Sequence, residues 1–220
     1  AINNIAEEIL ADKINNRWRT KNLILNKINL KYDSCEQKDK IKPEEFESID
    51  ELTDVVSAGE IYTVKQAGVN IKNTIFNGSN KSEEELNFAL DCGIEKFSVD
   101  NFYEAEILNK ICKTKNIQAN ILLRITPGIE CHTHDYIQTG NIDSKFGFDM
   151  LQIDNIIEKI LNEYKNLSLR GLHAHIGSQI FELKCFEDEI DILFRELVRI
   201  NTKYSLHLNE LNIGGGLGVK

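Results

Sequence analysis

The sequence predicts an α/β fold on a parallel sheet, most simply a (β/α) TIM-type barrel. Three observations point there. From about residue 52, short β-branched and apolar runs alternate with helix-like stretches. About six such units fall within residues 52–220, roughly 25–35 residues each, near the repeat of a (β/α) barrel. No Gly-x-Gly-x-x-Gly follows an early strand, which weighs against the alternative, an open doubly wound sheet.

The elements follow in order. "TDVVS" (53–57) is short, β-branched and apolar, and "AGEIYTVKQAGV" (58–69) reads as a helix stopping near Gly68. "NTIFNGSN" (73–80) is a strand running into a loop. Ser82 and Glu85 then have the spacing of a capping box, and the helix they open stops at Gly93. "EKFSVDN" is a strand, "FYEAEILNKICKTKN" a helix, and "QANILLRITPG" a long apolar strand ending at Pro127 and Gly128. A long loop, "IECHTHDYIQTGNIDSKFGF", comes next, and a loop of this length in a compact domain is usually functional. Ile153, Ile156, Ile157, Ile160, Leu161 and Tyr164 recur at helical spacing. "LSLRGLHAHIGS" is a strand, Ile190, Leu193, Phe194, Leu197 and Val198 mark a helix, and "HLNELNIGGGLGV" is a strand entering glycines.

Residues 1–50 form a divergent N-terminal segment ahead of the barrel domain, 51–220. "AINNIAEEILADKINNRW" reads as a helix with Ile2, Ile5, Ile9 and Leu10 on one side. "NLILNKINL" is a candidate strand, and Pro43 suits the first turn of a short helix.

Composition narrows the functions. With 26 basic and 35 acidic residues the net charge is −9, which gives no general attraction to nucleic acid. No apolar run is long enough to span a membrane, and "AINNIAEEIL", with Glu7 and Glu8, does not read as a signal peptide. Cys35, Cys92, Cys112, Cys131 and Cys185 are scattered, without Cys-x-x-Cys, as expected of free thiols in a reducing cytoplasm.

Functional groups of α/β sheets gather at the carboxyl ends of the strands. That rule selects Ser57, Asn77, Asp100, Arg124, His173, His175 and Gly214 to Gly216. Three glycines at a strand end let backbone N–H groups approach a phosphate; a tight strand-to-helix turn is the alternative. His173 and His175 share a face if the strand alternation holds, either as core residues or as an active-site wall beside Gly177 and Ser178. Arg124, near the end of an apolar strand, is an anion partner or the mate of Asp54 or Glu60. Cys131, His132, His134 and Asp135 match no familiar zinc spacing, so a substrate-facing loop is preferred to a metal site.

Five stretches carry a resemblance: "DVVSAGEIYTVKQAGV", "IFNGSNKSEEELNFALDCGIEKFSVDN", "LRITPGIECHTHDYIQTGNIDSKFGF", "HAHIGSQI" and "LNIGGGLGV". In these, and in their order, residues 52–220 closely resemble the diaminopimelate decarboxylases, of the alanine-racemase-like class of enzymes that use pyridoxal 5'-phosphate (PLP). "THDYIQTG" followed by "DSKFGF" is specific to that branch as against ornithine decarboxylases.

The resemblance implies an alanine-racemase-like PLP barrel and decarboxylation of meso-diaminopimelate to lysine, in a family whose full-length members are homodimers. It implies His175 against the pyridine ring, and Ser178 with the N–H groups of Gly215 and Gly216, beside Gly214, on the phosphate. Arg124 and Asp54 would lie near the ring, Ser57, Asn77 and Glu60 would support the site, and Lys145 belongs to the motif after the substrate loop. The family's cofactor-bearing lysine lies in Tyr-Ala-x-Lys-Ala-Asn, which is absent here. The nearest likeness, "ILNKIN", makes Lys27 the candidate. The family also continues past the position of Lys220 with a last barrel strand and a β domain, so the expected barrel is incomplete.

Overall fold

The computed structural model describes residues 21–24, 49–51, 53–129 and 146–218. The expectations placed on residues 1–18 and on Lys27, Cys35, Pro43, Cys131, His132, His134, Asp135 and Lys145 lie outside the described residues.

Among the described residues, nine strands form one sheet: β1 (Lys21–Ile24), β2 (Ile49–Glu51), β3 (Thr53–Val55), β4 (Thr74–Phe76), β5 (Lys96–Val99), β6 (Ala119–Thr126), β7 (Phe148–Asp149), β8 (Leu167–His173) and β9 (Glu210–Asn212). Their order is β2-β1-β9-β8-β6-β5-β4-β3, with β7 beside the end of β6. From β9 to β3 every pairing is parallel, as the alternating sequence predicts. β1 departs from that rule: it lies antiparallel to both β9 and β2. The central strands bury residues on both faces rather than on alternate ones; all three residues of β4 are buried.

The crossovers are α1 (Ala58–Gln66), α2 (Glu83–Cys92), α3 (Phe102–Lys115), α4 (Ile153–Asn162) and α5 (Leu183–Tyr204). Each start has a local cause in the first three. The hydroxyl oxygen of Ser57 accepts the Glu60 N–H, Ser82 and Glu85 complete the predicted capping box, and Asn101 accepts the Glu104 N–H. Glu85 also accepts the Ala58 N–H at 3.2 Å, tying the start of α1 to that of α2. The isoleucine stripe of α4, Ile153, Ile156, Ile157 and Ile160, is buried against the sheet as its spacing requires. Outside, Asp154 of α4 gathers Arg199, Lys203 and Tyr204 of α5, and these donors hold its carboxyl well below the usual range.

The sheet is curled. Three strand steps separate β4 from β8, about 14 Å in a flat sheet. Yet Asn77, one residue past β4, reaches His173 at the end of β8 at 3.3 Å. Two such short side chains do not bridge a flat sheet of that width. Lower in the sheet, Lys96 of β5 and Glu210 of β9 make the same crossing as an ion pair at 2.6 Å. The parallel strands therefore wrap part of a barrel, and the carboxyl ends of β4, β5, β6, β8 and β9 converge.

Candidate functional site

His173 is fully buried at that convergence. Its Nδ1 lies 3.1 Å from the Asn212 carbonyl oxygen, so Nδ1 carries the proton and donates it. Its Nε2 lies 3.3 Å from the Asn77 side-chain nitrogen. The orientation of that amide is decided next door, where Asn77 Oδ1 accepts the Gly78 N–H at 2.9 Å. Asn77 thus presents its NH2 to His173, and Nε2 accepts. Both ring nitrogens are satisfied by the neutral form. Burial above all, then the nearby charges of Arg124 and His175, push its pKa down from 6.5 to about 3.

Arg124 of β6 stands in register with His173 of β8. Its Nη1 donates to Asp100 Oδ1 at 3.1 Å, and its guanidinium lies 5.2 Å from the centre of the Phe146 ring. The expected mates, Asp54 or Glu60, are replaced by Asp100. The reason is strand order: Val99 of β5 pairs Leu123 of β6, which sets the next residue, Asp100, beside Arg124. Asp54 is on β3, at the far end of the strand order, and Glu60 accepts the Val56 N–H at the start of α1. Ser57 and Glu60 accordingly act as helix-start residues.

His173 is the last paired residue of β8, so His175 belongs to the following loop and is half-buried. There it meets the glycine turn after β9. The Gly215 N–H donates to His175 Nδ1 at 3.4 Å, which assigns its proton to Nε2. The turn needs its glycines: φ is +60° at Gly214 and +98° at Gly216. A Cβ on Gly216 would stand 1.8 Å from the Gly177 carbonyl oxygen and 3.4 Å from the Ser178 Cα. Around Gly215, by contrast, a Cβ would meet nothing within 4 Å, so this residue faces open space. The two loops are tied further along, where Ile180 N–H donates to Gly216 and Gly218 N–H to Ile180, each at 2.8 Å.

The structure thus brings together Asn77, Asp100, Arg124, His173, His175, Ser178 and Gly214 to Gly216. Two parts went unread in the sequence. Asn212 is fully buried, accepts the Gly214 N–H at 2.8 Å through Oδ1 and offers its carbonyl to His173; its signal was an amide inside the apolar run "LNI". Lys81 and Glu104 form a buried ion pair at 2.9 Å beneath Asn77 and Asp100, with no more sign in sequence than a lysine before a helix cap. An open glycine turn, an exposed serine and a cationic guanidinium suit an anionic group, and a half-buried imidazole beside them suits a flat ring.

A family model described as "Pyridoxal-dependent decarboxylase, pyridoxal binding domain" matches residues 12–220. A diaminopimelate decarboxylase of Halalkalibacterium halodurans is 48% identical over 169 residues, 76% of this chain and 38% of that protein. One from Bacillus subtilis is 46% identical over the same shares. Among solved structures, diaminopimelate decarboxylase from M. jannaschii in co-complex with L-lysine superposes with a TM-score of 0.67 at 34% identity, over 76% of this chain and 38% of that one. The chain spans about two fifths of the length of these relatives.

Proposed function

Since the chain belongs to the pyridoxal-dependent decarboxylase family, we propose that its strand ends bind PLP and serve the decarboxylation of meso-diaminopimelate to lysine. The observation that carries this is the glycine turn after β9, open at Gly215 and packed against the loop of His175 and Ser178. The residues fit the group. Gly214 to Gly216 and Ser178 would hold the phosphate, with the Gly216 N–H and the Ser178 hydroxyl donating to it, and the Gly215 N–H shared with His175. His175, its Nδ1 engaged by Gly215, would stack on the ring with the proton on Nε2. Arg124, fixed by Asp100, would supply positive charge beside the ring, and Asp54 would approach it from β3. Neutral His173 closes the floor beneath and keeps a second positive charge out of it.

Bound PLP supplies the electron sink for the pair left behind when a carboxylate departs as CO2. The L-lysine in the M. jannaschii complex supports lysine as the amino acid released. Lys27 is the candidate for the covalent attachment.

A second reading, a PLP-binding homologue without catalysis, is favoured by one observation: the Tyr-Ala-x-Lys-Ala-Asn motif is absent. One experiment separates the two. The protein is titrated with PLP, reduced with borohydride and mapped, and CO2 release from meso-diaminopimelate is measured. A reduced adduct on one lysine with CO2 release supports the decarboxylase. Reversible binding without an adduct or CO2 favours the second reading, and no binding at all rejects both.

A further inference from the structure

Lys81 is a lysine with its charge in the interior. The side chains of Lys81 and Glu104 are 1% and 3% exposed, and Nζ lies 2.9 Å from Glu104 Oε1. Nζ also donates to the Ser98 carbonyl oxygen at 2.9 Å and to that of Gly78. Two carbonyl hydrogen bonds and one carboxylate at ion-pair distance thus surround the ammonium, which is how a charge is tolerated at such depth. A Phe76 ring, 5.7 Å from Nζ, closes another side.

Two of these contacts, to Glu104 and to Gly78, lead into the site. The other oxygen of Glu104, Oε2, accepts the backbone N–H of Asp100 at 3.3 Å. Asp100 in turn holds Arg124. Gly78, bound through its carbonyl, donates its own N–H to Asn77 Oδ1, and that bond turns the Asn77 amide toward His173. One buried ion pair therefore stands under both arms, Asp100–Arg124 and Asn77–His173. Burial pushes the Glu104 carboxyl up to about 7 even with the ammonium beside it, so the pair is retained at a cost in desolvation.

We propose that Lys81 and Glu104 are positioning residues that preset Arg124 and His173, and through them the affinity for PLP. This rests on the PLP reading above. A pair that merely braces the fold would lose stability and cofactor binding together and regain them together. Positioning separates the two. Lys81→Met leaves Glu104 buried without its cation and costs stability. In Lys81→Met/Glu104→Gln both charges are gone, and stability returns toward wild type because no unpaired charge stays buried. The relay to Arg124 and Asn77 is still broken.

The test uses the full chain, with thermal unfolding and PLP titration on wild type, Lys81→Met and the double variant. The expected result is a double variant that regains most of the stability lost in Lys81→Met yet binds PLP about tenfold more weakly than wild type, the scale typical of lost supporting contacts. Recovery of affinity along with stability overturns the proposal. Wild type that takes up no PLP defeats the reading above instead. The relay is then judged in the ligand-free chain on the Arg124 Nε–H and His173 ring nitrogen resonances. The double variant should displace both, and resonances that stay in place overturn the relay on their own.

Discussion

His173 and His175, two residues apart, hold opposite tautomers. His173 donates from Nδ1 to the Asn212 carbonyl, whereas His175 accepts at Nδ1 from the Gly215 N–H. One imidazole is locked into the floor and the other is oriented by the glycine turn. Long-range proton–nitrogen spectra at neutral pH should show His173 protonated on Nδ1 and His175 on Nε2. Matching tautomers at the two positions would contradict the network.

The pH dependence of stability follows from two buried groups with opposite signs. His173 has its pKa lowered from 6.5 to about 3, so between these values the unfolded chain binds a proton that the native chain does not. Its contribution is complete above 6.5 and is lost at about 1.4 kcal/mol per pH unit as the pH falls. Glu104 has its pKa raised from 4.5 to about 7, so there the native chain binds the extra proton. Its contribution is complete below 4.5 and is lost, at a similar slope, as the pH rises through 7. The two slopes oppose each other between 4.5 and 6.5. Urea unfolding should expose each alone. Lys81→Met/Glu104→Gln should lose stability as the pH falls through that window, and His173→Gln should gain it.

Adjacent glycines should respond differently to one methyl group. Gly216→Ala places a Cβ against the Gly177 carbonyl at φ +98°, and should cost about 2 kcal/mol or more. Gly215→Ala meets nothing within 4 Å and should leave the unfolding temperature nearly unchanged. On the PLP reading the added methyl fills the phosphate cradle, so Gly215→Ala should bind PLP more weakly. Equal PLP affinity in Gly215→Ala and wild type would remove this turn from the phosphate site.

The Arg124–Asp100 pair is mostly withdrawn from water, with side chains 11% and 4% exposed. Asp100→Ala leaves the guanidinium without its mate and should cost about 3 kcal/mol. Replacing both, as Arg124→Met/Asp100→Leu, should cost much less in chemical denaturation, since no charge is then stranded.

Much of this architecture was legible in the residues. Short segments such as "TIF" and "KFSV" read as strands, and they lie in the sheet with residues buried on both faces. Ser82 with Glu85, and the isoleucines of α4, read correctly because caps and stripes depend on spacing of three or four residues. Strand ends also nominated Asn77, Asp100, Arg124, His173 and the glycines, since carboxyl ends of parallel strands converge.

Local sequence thus determined the elements, their polarity and the residue types at the mouth of the barrel. Tertiary structure alone decided who meets whom there. Arg124 took Asp100 instead of Asp54 or Glu60 because strand order, which no local pattern encodes, set β5 beside β6. The strand ended at His173, so the alternation that would have made the two histidines equivalent stopped between them. Lys81 and Glu104, 23 positions apart in the chain and paired at 2.9 Å, became neighbours only once the sheet brought the loop after β4 over the start of α3. A buried charge is tolerable only where partners converge on it, and that convergence is a property of the curled sheet and its helices.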